Sequence, residues 1–260
     1  MTEENRDVQD GYDDQDRPLI THLLELRTRL IRTLAIILVV FLAMYPFREQ
    51  LYSLLAGPLR AVLPKGSTMI ATQVATPFLV PLKLALIAAF FVCIPYVLYQ
   101  LWAFVAPGLY RHERRLIMPL LVSSSVLFYL GMAFAYFVVF PLVFSFFAST
   151  TPEGVSMMTD INEYLSFVLK LFFAFGAAFE VPIATILLVY TGITSKKALT
   201  SKRPYIIVAA FVVGMLLTPP DVVSQVMLAV PIWLLFELGV IFSGYFVRQK
   251  STEEARSEEQ

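Results

Sequence analysis

Residues 119–141 read PLLVSSSVLFYLGMAFAYFVVFP, 23 positions without one acidic or basic side chain. A helix needs about 20 consecutive apolar residues to cross a bilayer core of about 30 Å. This stretch therefore decides the class: the chain spans a membrane. It lies within one of six apolar runs, at 30–47, 77–105, 116–148, 161–190, 204–218 and 222–243. Composition agrees, because 58% of the chain is apolar and 15% is charged, against about half and a quarter in soluble domains. The expected fold is an all-α integral membrane protein with six transmembrane helices.

The second, third and fourth runs are longer than one crossing and contain Pro81, Pro95, Pro119, Pro141 and Pro182. Kinked or tilted helices are expected there. The fifth run has 15 residues, which at 1.5 Å each reach about 22 Å. It requires a locally thinned bilayer or a start deep in the membrane. The stretch 48–76 contains Gly57-Pro58 and Pro64-Lys65-Gly66 and is expected to form a small outer cap.

Lysine and arginine set the orientation. The segments 1–32, 106–115, 191–203 and 244–260 carry 15 of the 20 basic residues. The alternate loops carry Arg48, Arg60 and Lys65, while Lys83 and Lys170 fall within runs. Both termini are therefore expected on the cytoplasmic side, in agreement with six crossings. Lys83 and Lys170 lie towards the outer ends of their runs, where snorkelling accounts for them. Residues 1–17 hold seven acidic residues against two arginines, and no cleavable signal peptide is visible. That stretch and 248–260 read as disordered tails around a membrane domain at 18–247. The single cysteine, Cys93, excludes an intramolecular disulfide.

Polar residues near the spans are few, so each needs a reason. Leu19, Leu23, Leu26 and Leu30 form the apolar stripe of an amphipathic helix running into the first span. Thr21 is a candidate cap for its start. Glu25 and Arg29 are four apart, which supports the helix by about 0.3 kcal/mol. Glu25 either does only that or holds a cationic ligand. Glu113, among Arg111, Arg114 and Arg115, either softens their repulsion or joins Glu25 in an acidic pair for a ligand with two cations. His22, Glu25, His112 and Glu113 include acceptable metal ligands. The adjacent His112 and Glu113 diverge, however, and three arginines oppose a dication, so no metal site is expected.

Glu180 sits within an apolar run, where a bare charge costs at least several kcal/mol, about 2.5–3.5 on the most lenient scale. It is a proton relay, a polar patch for a partner helix, or an acid bonded to a neighbouring helix or to a carbonyl freed by Pro182. Gly176 nearby permits close helix approach. Gln100 and Glu237 lie towards the inner ends of their runs and could simply reach the interface. Thr218-Pro219-Pro220-Asp221 turns the chain between the last two runs, with Asp221 as a helix cap. No phosphate-binding loop and no zinc-protease motif occurs, and no cofactor is expected.

Several long stretches in order resemble the TatC family, the multi-spanning subunit of the twin-arginine protein translocase. They are THLLELRTRL at 21–30, AFVAPGLYRHERR at 103–115, the 119–141 stretch, FEVP at 179–182 and FVVGMLLTPPDVVSQ at 211–225. The resemblance covers about 18–247. It implies a receptor for folded cargo whose signal peptides bear two consecutive arginines, with Glu25 and Glu113 as the carboxylates that hold the pair. Arg27, Phe104, Pro107 and His112 would line or shape that site, and Gln100 and Glu180 would face a membrane groove. Met215 and Gln225 would lie where the single-span partners TatA and TatB dock, while Pro58 and Asp221 would support the cap and turn. It further implies the bacterial inner membrane, self-association, drive by the proton-motive force, no enzymatic activity and no nucleic acid. Gly108 and Thr194-Ser195-Lys196-Lys197 depart from the pattern without touching the two carboxylates.

Two other classes compete on the residues alone. A proton-coupled secondary transporter of a small solute would use Glu180 and the proline-broken helices, but such folds usually show related halves, and none is visible. An intramembrane enzyme would use Glu180 and tyrosines such as Tyr136, but lacks a nucleophile–base pair.

Overall fold

The computed structural model describes residues 7–62, 69–109, 117–152, 158–217 and 222–258, with side chains at all of these except 7–23, 58–62, 105–109, 117, 224 and 245–258. The described residues form helices and one isolated bridge. They are α1 (Asp7–Met44), a 3-10 turn (Tyr45–Phe47), α2 (Arg48–Val62), α3 (Thr76–Val92), α4 (Ile94–Leu109) and α5 (Ile117–Phe134). A π-helical turn (Ala135–Val139) leads into α6 (Phe140–Thr150), followed by α7 (Ile161–Tyr190), α8 (Lys196–Ser201), α9 (Arg203–Leu217) and α10 (Val222–Glu258).

Four stretches are long and apolar enough to cross a membrane: Leu24–Gly57, Met118–Thr150, Ile161–Tyr190 and Gln225–Gly244. The pair Thr76–Val92 and Ile94–Phe104, bent by 53°, makes a fifth if it crosses once. The short Arg203–Leu217 is compatible with a sixth. Its 15 residues reach about 22 Å, as the fifth apolar run implied.

The prolines act unequally. The second span breaks at Cys93, with Pro95 in the first turn of α4. Pro141 follows the π-helical turn, in which the Phe140 amide reaches back to the Ala135 carbonyl, a widening often found at helix irregularities. Pro81 and Pro182, by contrast, lie inside continuous helices. Thr21 is not a cap: α1 starts at Asp7, so Thr21 lies well inside it. Helix also covers 7–17 and 248–258, where composition reads as solvated tails. Once a span nucleates a helix, each added residue needs only propagation. The same continuation carries α4 to Leu109, into the basic segment 106–115.

The core is an aromatic stack shared by α3, α5, α6 and α7. Phe91, Phe128, Phe140, Phe144, Phe172 and Phe175 are all buried. Phe140 meets Phe172 edge-on at 5.0 Å, and Phe134 meets Phe175 at 5.5 Å. Lipid tails are as apolar as these rings, so close packing rather than expulsion from water holds such helices together. Two glycines set the approach of antiparallel α5 and α7. A Cβ on Gly176 would strike the Phe128 ring, and one on Gly131 would strike the Phe175 backbone. On the other side of α7, a Cβ on Gly239 of α10 would meet Pro182 and Thr185. At the end of α7, Gly192 takes φ +76°, and the amide of Thr194 bonds the Leu188 carbonyl. This left-handed glycine stop turns the chain into α8, which Ser195 caps through the Ala198 amide.

Each helical proline leaves the carbonyl four residues earlier without its donor, and three such carbonyls receive a side chain. Leu54 precedes Pro58, and the Tyr136 hydroxyl donates to its carbonyl at 3.1 Å. Phe91 precedes Pro95, and the Tyr129 hydroxyl donates to it at 3.0 Å. Ala103 precedes Pro107, and the Arg29 guanidinium reaches it at 3.4 Å. Tyr164 adds a 2.6 Å bond to the Leu55 carbonyl, so two phenols clamp the cap helix α2 to the bundle. Lys83 does not simply snorkel: its ammonium bonds the Ser166 hydroxyl on α7 at 2.8 Å. Both groups lie between helices, where an internal acceptor costs less than a reach to the interface.

Asp160 pins the cap end of α7. One carboxylate oxygen accepts from the amides of Asn162 and Glu163, capping the helix. The other accepts from the hydroxyl and amide of Thr72, at 2.6 and 3.0 Å. The bridge Ile70–Asp160 completes the junction. The Thr72 hydroxyl, then its amide, then the helix amides hold the carboxyl down to about 2 from its ordinary 3.8.

Two outcomes follow. Tyr136→Phe orphans the Leu54 carbonyl and should cost about 1 kcal/mol of unfolding free energy; in a Pro58→Ala background, which restores an amide donor, the cost should largely vanish in the same detergent-unfolding assay. A pKa depressed in the fold contributes stability above its unfolded value and loses it as pH falls through the folded one. The wild type should therefore lose this stabilisation between about pH 3.8 and about pH 2, and Asp160→Asn should lack that component and melt lower at neutral pH.

Candidate functional site

The carboxylate at the entry of the first span is held in a four-part network. Glu25 lies on α1, and both contacts to its Oε1 come from Arg29 one turn on: Nε at 3.0 Å and Nη2 at 2.6 Å. Arg29 also reaches across to α4, giving Nη1 to the Gln100 Oε1 at 2.9 Å and Nη2 to the Ala103 carbonyl. Gln100 in turn donates to the Tyr96 hydroxyl at 2.6 Å. Glu25 keeps 40% of its side-chain surface open, whereas Arg29 keeps 23%. A partly open carboxylate therefore sits beside a more enclosed guanidinium that bolts α1 to the last turns of α4.

The structure brings some expected residues together and separates others. Gln100 joins the Glu25 network through Arg29, and Phe104 adjoins Ala103, half-buried. Arg27, two positions from Glu25, is exposed on a different face of α1, because residues two apart do not face one another on a helix. Arg29, expected only as a local helix partner, is the residue that crosses to α4. Glu113 and His112 lie outside the described residues, as does Asp221. Pro107 and Pro58 are described in backbone only, within α4 and α2. Among the described residues no cluster of three metal-ligating side chains occurs.

Further along the bundle, Glu180 is half-buried on α7, and neither carboxyl oxygen has a hydrogen-bond partner among the described residues. The Ser124 hydroxyl faces it from α5; its oxygen accepts from the Trp102 indole at 3.2 Å, which leaves its own O–H free to donate. Glu237 does not simply reach the interface: only 17% exposed, it pairs with Arg203 of α9 at 2.7 Å. On the α9–α10 rim, Gln225 donates to the Phe211 carbonyl at 2.9 Å, and a Cβ on Gly214 would press on Gln225. Met215, beside that contact, is exposed.

The tyrosine and Arg29 bonds were missed by sequence reasoning, although prolines 58, 95 and 107 marked the carbonyls that needed them. Asp160 likewise drew no notice, since its partner Thr72 lies 88 positions away.

Fold and site together define a multi-spanning α-helical membrane protein with a partly open carboxylate at one end of its bundle and a half-buried acid within it. Residues 21–231 match the family model for TatC, the Sec-independent protein translocase protein. The chain is 62% identical to the Sec-independent protein translocase protein TatC of Azotobacter chroococcum, over 88% of this chain and 90% of that protein. It is 59% identical to the TatC of Escherichia coli, over 89% of this chain and 90% of that one. A crystal structure of the twin-arginine translocase receptor TatC superposes with a TM-score of 0.78 at 37% identity, covering 86% of this chain and 98% of that one. The chain belongs to the TatC family and is a multi-pass membrane subunit of the Sec-independent, twin-arginine protein translocase.

Proposed function

We infer that this subunit is the receptor that reads two consecutive arginines in the signal peptides of folded cargo, on the cytoplasmic side of a bacterial inner membrane with both termini on that side. The observation that carries the reading is Glu25, a partly open carboxylate held against the end of α4. The chain continues from there into 110–116, which bears Glu113 and His112. A guanidinium presents a planar fork to a carboxylate, whereas an ammonium presents a compact charge. Each charged hydrogen bond contributes about 1.5–3 kcal/mol, less where water screens it. Two such contacts select arginine without tight binding, and the apolar part of the peptide adds affinity along the groove that Gln100 and Glu180 face. Arg27, Phe104, Pro107 and His112 line or shape that site.

The single-span subunits TatA and TatB dock on the α9–α10 rim. The exposed Met215 and the tight Gly214–Gln225 contact support that placement. Pro58 and Asp221 hold the cap and turn in place, and copies of the chain self-associate. Export draws on the proton-motive force, with Glu180 as the acid that carries protons.

Binding of a twin-arginine signal peptide and its twin-lysine version is to be measured on protein in lipid nanodiscs. Wild type should prefer arginine by about tenfold, or about 1.4 kcal/mol, and Glu25→Gln or Glu113→Gln should erase the preference. Equal binding of both peptides to all three proteins would sink the acidic-pair reading. Export through Glu180→Gln should fall; unchanged export would remove Glu180 from proton handling.

A further inference from the structure

The carboxylate proposed to receive a signal-peptide arginine already holds one. Arg29 places two N–H groups on Glu25 Oε1, at 3.0 and 2.6 Å, the contact an incoming guanidinium would seek. We propose that Arg29 is a resident competitor on Glu25, displaced when the signal peptide binds and returned when it leaves, so that it sets the affinity of the receptor. This rests on the reading of Glu25 as a ligand carboxylate.

Three observations carry it. The carboxylate is the more open partner, so an outside cation reaches it before it reaches Arg29. Arg29 also has other acceptors at hand: the Gln100 side-chain oxygen at 2.9 Å and the Ala103 carbonyl at 3.4 Å. Pro107, four residues beyond Ala103, supplies no amide to that carbonyl, so it stays available to the displaced guanidinium. Arg29 thus leaves Glu25 without being stranded, and α1 stays tied to α4 during the exchange. A merely helix-supporting pair needs none of this, since one contact four residues away would suffice.

A competitor for one carboxylate weakens every cationic ligand by the same factor. Removing it therefore raises affinity and leaves the arginine-over-lysine ratio alone. A helix-supporting role predicts the reverse, with binding unchanged or weakened as α1 loosens.

The test measures twin-arginine and twin-lysine peptide binding to the full chain in lipid nanodiscs for wild type, Arg29→Gln, Arg29→Lys, Arg32→Gln and Glu25→Gln. Arg29→Gln should tighten both peptides by about tenfold, the size of one charged hydrogen bond. Arg29→Lys, which keeps the charge and loses the fork, should tighten them less. Arg32 is exposed on the same helix, and its substitution removes the same charge without touching Glu25. Equal gains from Arg32→Gln and Arg29→Gln would reduce the effect to net charge and overturn the proposal. No gain from Arg29→Gln would overturn it too. If Arg29→Gln does not insert stably, Arg29→Lys decides: a gain supports exchange and none overturns it. Glu25→Gln separates the two levels. If it abolishes arginine preference while the Arg29 variants gain nothing, the competitor idea alone fails; if it leaves binding untouched, the receptor site lies elsewhere and both fail.

Discussion

A helical proline leaves the carbonyl one turn back without its amide donor, and that carbonyl is costly unless another donor meets it. Three such joints tie this bundle together. Prolines 58, 95 and 107 each release a carbonyl, and Tyr136, Tyr129 and Arg29 meet them from neighbouring helices. A residue that weakens its own helix thereby becomes a joint between helices. The three joints lie at the cap, at the 53° break between α3 and α4, and at the α1–α4 contact. They tie the irregular parts of the chain to the regular ones.

Around those joints the helices divide the work. The stack of α5, α6 and α7 supplies packing through rings and glycines. The two ends carry the chemistry. At the cap, Asp160 gathers four donors and fixes how the chain re-enters α7. At the opposite end, Arg29 gathers three acceptors around the carboxylate proposed for recognition. Both are single ionic side chains satisfied from two elements, which lets one residue position two segments.

Membrane class and the number of apolar runs were legible from composition and run length, because lipid leaves so little freedom in what can cross it. Glu25 and Glu180 stood out for the same reason: charge is rare where they sit. The joints were half-legible. The prolines named the orphan carbonyls, but the donors lie up to 82 positions away, and no local period reveals such a pairing. Arg29 was hidden by a sufficient local account, since its spacing from Glu25 already explained it. Lys83 and Glu237 were misread because charged residues near span ends usually escape to the interface; here Ser166 and Arg203 offered closer partners. Polar composition argued for tails at both ends, while continuation of helix from α1 and α10 followed the low cost of propagation.

The glycine contacts have a mechanical consequence. With Gly131 and Gly176 between α5 and α7, and Gly239 between α10 and α7, backbone and ring atoms already touch on both sides of one helix. A wall built this way has no slack, because sliding by even a fraction of a turn would drive a methylene into a peptide plane. The bundle is thus tightest along α7, where two neighbours meet it through glycine.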